Sequence, residues 1–202
     1  MSTRALKHLR AADPKLGAVI DRVGRHRPGY STEGTHFDAV VRSIVYQQLS
    51  GAAAGTIHGR VMAMYGGASP TPAQLLRTPV EKLRAAGLSG RKVEYVHALA
   101  RQVADGVLPI ETLHELDDDA VIAALTQVKG IGRWTAQMFM LFRLKRPDVL
   151  AELDLGLQKG LQKVHGFRTL PTPKRLAQVG ERWAPYRSVA SWYLWRSLEL
   201  DD

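Results

Sequence analysis

Residues 125–156, LTQVKGIGRWTAQMFMLFRLKRPDVLAELDLG, decide how the rest of the chain is read. Gly130 and Gly132 stand between two segments whose apolar residues recur at helical spacing, and a proline, Pro147, breaks the second segment before a carboxylate, Asp154. Two glycines at i and i+2 let the backbone turn tightly and bring bare amides to the start of the second helix. Such a turn is an anion site. The N–H groups of Gly130, Ile131, Gly132 and Arg133, with the positive end of the helix dipole, suit a phosphate, and Lys129 and Arg133 flank it. The carbonyls of the same turn, those of Thr126, Val128 and Gly130, are candidates for a Na+ or K+ ion that neutralises the phosphate. The same glycines also suit a plain helix corner that binds nothing. A dinucleotide loop is the poorer reading, because the glycines follow a helix rather than a strand.

Outward from this hairpin the pattern stays helical, and alternating β-branched runs are absent, so the class is all-α. Phe37, Val40, Val41, Ile44, Val45 and Leu49 fall on one stripe, which predicts a half-buried helix, with Gly51 supplying a left-handed exit. Asp13-Pro14 divides an N-terminal pair of helices, and Gly24 to Thr35 reads as a loop. Ala52 to Tyr65 is helical. Thr78-Pro79 predicts a short helix through Ala86, Ser89 opens another, and Asp117 starts the one that leads into the hairpin. Gly132 to Lys145 is predicted helical, followed by Asp154 to His165, a helix from Thr172-Pro173, and a last one from Pro185 to Leu198. Asp117-Asp118-Asp119 suits a helix start better than a Mg2+ site.

The chain has 202 residues, no cysteine, and 28 Lys+Arg against 19 Asp+Glu, a net charge of +9. Without cysteine there is no disulfide, thiolate metal site or cysteine nucleophile, and a reducing compartment, the cytoplasm, is the default. The scattered histidines offer no paired metal spacing. No apolar run is long enough for a membrane span, and Met1 to Arg10 is basic without the apolar core of a signal peptide. The basic excess makes a polyanion the expected partner.

Val128 to Ala136 (VKGIGRWTA) resembles the helix-hairpin-helix signature of base-excision DNA glycosylases, and Pro147-Asp148-Val149 through Asp154-Leu155-Gly156 resembles their Gly/Pro-rich loop and aspartate. Phe37 to Ser50 (FDAVVRSIVYQQLS) and Glu181 to Trp195 (ERWAPYRSVASWYLW) extend the likeness over roughly residues 37–197. Within that superfamily the chain most resembles the DNA-3-methyladenine glycosylase II group, which acts on alkylated bases. The resemblance implies two helical lobes, 37–150 with the hairpin motif at about 117–145, and 1–36 plus 151–202, with an active-site cleft between them. It implies a monomer acting on double-stranded DNA that contains damaged bases.

The resemblance also assigns roles. Cleaving an N-glycosidic bond builds positive charge on the sugar, which a fixed carboxylate stabilises while orienting a water. That carboxylate falls at Asp154, although an Asp before Leu155-Gly156 is also a natural N-cap, and Asp148 and Glu152 are its competitors. Glycosylases that also cut the backbone carry a lysine one residue after the arginine of the signature; here that residue is Trp134, which implies hydrolysis by water without strand cleavage. Trp134 and Trp195 match positions that line the base pocket, where electron-rich indoles suit a cationic purine such as 3-methyladenine or 7-methylguanine. Tyr46 is a further pocket candidate with Tyr186 and Trp192 behind it, and Met138 stands where other members have an aromatic. Gln48 and Leu49, at a helix end, are candidates to fill the gap left by a flipped base. No cofactor is required beyond the optional hairpin cation. Two alternatives remain open at this point: a damaged-DNA binder without catalysis, and a glycosylase for oxidised or deaminated bases.

Overall fold

The computed structural model describes residues 3–25 and 34–201. The part of the expected Gly24–Thr35 loop from 26 to 33 lies outside the described residues. Among those described, every regular element is helical and none is long and apolar enough to cross a membrane. The chain divides into two compact units, Met1–Tyr30 with Lys145–Asp202, and Ser31–Leu144.

The first unit begins with α1 (Thr3–Ala12) and α2 (Pro14–Val23). Asp13 divides them as the sequence predicts: it is the N-cap of α2, and its side chain accepts from the Leu16 amide. The chain re-enters this unit for α10 (Leu155–His165), α11 (Pro173–Gly180) and α12 (Arg187–Ser197). Helix α12 packs on α10 and α2 over a core that includes Leu16, Ile20, Leu157, Leu161, Tyr193 and Leu194. Burying each such side chain contributes roughly 2 kcal/mol.

The second unit is built around α3 (His36–Tyr46), which contacts α4 (Gly51–Ala63), α7 (Gly90–Ala104) and α9 (Arg133–Phe142). Phe37, Val40, Val41, Ile44 and Val45 are buried, as the stripe requires. Leu49 is not part of it. The helix ends at Tyr46, and Leu49 is 40% exposed. Gly51 does not provide the exit either: it is the first residue of α4, capped by Ser50, and the left-handed residue is Gln48 (φ 56).

Between α4 and α7 lie α5 (Pro72–Arg77) and α6 (Val80–Ala85). Thr78 does not cap α6 as expected; it closes α5, its hydroxyl donating back to the Gln74 carbonyl. Helix α8 (Asp118–Thr126) precedes the hairpin, and Asp117 caps it through the Ala120 amide, so the acidic run serves the helix start. Helix α9 stops at Phe142, short of the expected Lys145. Lys145 is left-handed (φ 55), which turns the chain out ahead of Pro147, whose ring disfavours helix at the residue before it.

Candidate functional site

In the second unit the hairpin closes on two short turns, Val128 N–H to the Leu125 carbonyl (3.1 Å) and Ile131 N–H to the Val128 carbonyl (3.0 Å). The amide of Ile131 is therefore engaged, which corrects its place in the expected row of open donors. Its side chain, 3% exposed, anchors the turn in the core instead. Gly130 has φ 87, and a Cβ there would fall inside the ring of Tyr95, so only glycine satisfies both the turn and the packing. Gly132 is extended, with open space where its Cβ would be, and it caps α9 without a side chain. Its amide donates to none of the described residues. This leaves an approachable backbone at the N-terminus of α9, beside exposed Arg133.

Lys129, also exposed, pairs with Glu94 at 2.8 Å. The hydrogen bond from Lys129 holds the Glu94 carboxyl below its ordinary range and raises the Lys129 ammonium. Of the carbonyls proposed for a cation, Gly130's accepts from the Gln47 amide at 2.9 Å and Val128's from Ile131. A bound ion would have to share both.

Behind the hairpin lies the turn that leaves α3. The Gln47 carboxamide donates to the Gly130 carbonyl and to Thr135 Oγ1 (3.0 Å), while Lys92 Nζ donates to the carbonyls of Val45 (2.6 Å) and Gln47 (2.8 Å). Lys92, from the first turn of α7, thus caps the C-terminus of α3, and burial pulls its ammonium below the ordinary lysine value. Gln48 and Leu49 are both exposed beyond this brace. Tyr46, named for the pocket, already carries the Arg42 guanidinium over its ring at 4.3 Å. Trp134 and Met138, four residues apart on α9, share a face; Trp134 is half-buried and Met138 buried.

In the first unit Asp154 is the N-cap of α10. One oxygen, Oδ1, accepts from the Leu157 amide (2.8 Å) and from the indole N–H of Trp195 (2.9 Å). Those donors lie on different helices, and two glycines of α10 bring the helices together. A Cβ at Gly156 would meet Asp154 Oδ1 at 2.9 Å and the Trp195 indole at 3.0 Å, and one at Gly160 would overlap the Leu194 carbonyl. The Gly156-x-x-x-Gly160 spacing thus gives α12 room to approach α10 and deliver Trp195 to the carboxylate.

The competitors are occupied differently. Asp148 takes a two-pronged pair from Arg187 (2.8 Å to each oxygen) and the Arg187 amide at 3.1 Å, while Glu152 offers its carbonyl to Gln158 at 3.1 Å. Buried Ser188 donates to the Arg146 carbonyl and accepts from the Val149 amide, so the loop preceding Asp154 is stitched to the start of α12. Tyr186 packs against His8, and Trp192 against Tyr193. Sequence reasoning missed Gln47, Tyr95, Lys92, Gly160 and Ser188. Only the Gln47-Gln48 pair left a visible trace.

Residues 41–185 match the family model described as HhH-GPD superfamily base excision DNA repair protein. The chain is 34% identical over 203 residues to DNA-3-methyladenine glycosylase 1 of Schizosaccharomyces pombe, covering 99% of this chain and 89% of that protein. Its fold superposes on the Schizosaccharomyces pombe 3-methyladenine DNA glycosylase in complex with abasic DNA with a TM-score of 0.94, at 34% identity and 98% of each chain. A second solved structure, the DNA-3-methyladenine glycosidase of Bacillus halodurans, gives 0.81 at 42% identity, over 96% of this chain and 89% of that one. The match spans most of the chain in sequence and in fold, and the chain belongs to the HhH-GPD superfamily of base excision DNA repair proteins.

Proposed function

We propose that the protein is a monofunctional DNA glycosylase that hydrolyses the N-glycosidic bond of alkylated, cationic purines such as 3-methyladenine and 7-methylguanine in double-stranded DNA. The observation that carries this is Asp154, whose Oδ1 is held by a helix amide and by Trp195. Two donors on one oxygen fix the plane of the carboxylate, so its charge is aimed before any substrate arrives. As the bond between the sugar C1′ and the base nitrogen lengthens, its electron pair leaves with the base, which departs neutral because it began as a cation. Positive charge gathers on C1′ and the ring oxygen, where the carboxylate stabilises it. A water then adds its oxygen to C1′ and passes a proton to the Asp154 carboxylate, which returns it to solvent, and an abasic site remains.

The similarity to 3-methyladenine glycosylases of Schizosaccharomyces pombe and Bacillus halodurans supports the substrate class. Trp134 supports hydrolysis over lyase chemistry, because indole has no amine to form a Schiff base. Trp134, Tyr46 and Met138 of the second unit are the residues proposed to face the extruded base, and the hairpin grips a phosphate through Lys129, Arg133 and the open Gly132 amide. Gln48 and Leu49 fill the gap left by the extruded base. A Na+ or K+ ion at the Thr126, Val128 and Gly130 carbonyls is an optional aid to that grip, and the protein acts as a monomer without a cofactor.

The test is release of free base from methylated duplex DNA, with the strand analysed before and after alkali. Free base with strands intact until alkali is the expected result. Strand cuts without alkali would overturn hydrolysis by water alone, and binding without release would leave a damaged-DNA binder.

A further inference from the structure

The hairpin that would hold a phosphate and the turn that would enter the base stack come from separate stretches of chain, yet one side chain ties them together. Gln47 follows the last helical residue of α3, and its carboxamide reaches both the hairpin turn and the first turn of α9, the Gly130 carbonyl at 2.9 Å and Thr135 Oγ1 at 3.0 Å. Its own carbonyl is held by Lys92 Nζ at 2.8 Å, and the same ammonium holds the Val45 carbonyl. The next residue, Gln48, stands at φ 56, a conformation that costs a non-glycine residue energy and persists only where its surroundings impose it. Here the brace at Gln47 and the cap of α4 at Ser50 enclose it on both sides. The consequence is alternation across one turn: Gln47 points into the protein, while Gln48 and Leu49 are exposed.

We infer that Gln47 is a positioning residue, locking the Gln48-Leu49 turn to the phosphate-holding hairpin so that gripping the backbone and entering the stack are one rigid event. This rests on the glycosylase reading above. Without the lock, the hairpin still meets its phosphate, but the turn relaxes, and energy gained on the backbone no longer drives Gln48 and Leu49 between bases. The deficit then appears only where a base must be displaced from a partner.

The experiment compares native protein, Gln47→Leu and Lys92→Met in single-turnover release of 7-methylguanine from two substrates: a fully paired duplex, and the same sequence with the lesion in an unpaired loop. Thermal midpoints are recorded for all three proteins. Losing both bonds of the carboxamide is expected to lower the ratio of paired to unpaired rate roughly tenfold in Gln47→Leu. Lys92→Met, which loosens the same turn from its other side, should shift the ratio in the same direction. An unchanged ratio overturns the inference, whether both rates fall equally with a lowered midpoint, as a purely structural role requires, or neither falls. Native protein that releases no base from either substrate would instead sink the glycosylase reading itself, and that control separates the two failures.

Discussion

Asp13 and Asp154 look alike at the level of the single residue, and their partners tell them apart. Each caps a helix, and each accepts an indole N–H, from Trp183 at 3.0 Å and from Trp195 at 2.9 Å. Asp13, 1% exposed, is also bonded to His165 at 3.0 Å, whereas Asp154 is only half-buried and sits between two exposed leucines, Leu153 and Leu155. A carboxylate sealed from solvent can only stabilise the fold; one that solvent reaches can meet a substrate. Burial pushes the Asp13 carboxyl up, but hydrogen bonds from His165, Trp183 and the Leu16 amide, with the charge on His165, outweigh it and bring it from 3.8 down to about 2. A folded-state value below the unfolded one means that its stabilisation is present above pH 4 and is lost as pH falls from 3.8 toward 2. For this group that is about 2 kcal/mol. Denaturant melts of native protein and Asp13→Asn between pH 5 and 2 should therefore show a steeper acid loss in the native chain; parallel curves would contradict the assignment. In the sequence both residues are legible as caps. Their partners from far along the chain, and the burial that distinguishes the two, cannot be read from spacing, and only the likeness of motifs singled out Asp154.

At the scale of elements, the helix starts marked by a side-chain cap followed by proline were legible at Asp13-Pro14 and Thr172-Pro173. The same signature stands at Thr71-Pro72, with Gln74 completing a capping box, and it opens α5, so that Thr78 closes that helix rather than capping α6. Gly51 misled because a glycine after an apolar stripe usually ends a helix, while here Ser50 makes it a beginning. Gly160 was silent for another reason: a glycine inside a helix carries no mark of what it faces. Replacing it with alanine would raise helix propensity by about 1 kcal/mol, but the new methyl would overlap the Leu194 carbonyl, a backbone atom that cannot swing aside. Overpacking of this kind costs typically 1–3 kcal/mol, roughly, so the clash wins. Gly160→Ala should lower the thermal midpoint and weaken catalysis, because α12 carries Trp195 away from Asp154. A midpoint equal to or above the native one would show that α10 and α12 do not need this close approach.

For the molecule as a whole, the all-helical class and the polyanion partner followed from periodicity and from a net charge of +9. The bracing behind the hairpin did not, since Gln47, Lys92 and Tyr95 meet there only through the packing of α3 against α9 and of α7 against α3. If the hairpin and its neighbours neutralise on the order of four phosphates, affinity for undamaged duplex should fall about a hundredfold between roughly 50 and 200 mM salt. A flat response in a binding titration would remove the electrostatic account of the basic surface. The central claim is narrower: one carboxylate, fixed by an amide and an indole, does the chemistry on DNA that the rest of the chain holds. Its most direct test is single-turnover release of free base from methylated duplex by native protein and by Asp154→Asn, with binding to the same duplex measured alongside. The account predicts that Asp154→Asn binds within about twofold of native but loses at least about a hundredfold in release, the scale of removing one fixed electrostatic partner of the transition state. Release at the native rate by Asp154→Asn would contradict it and move the search to Glu152.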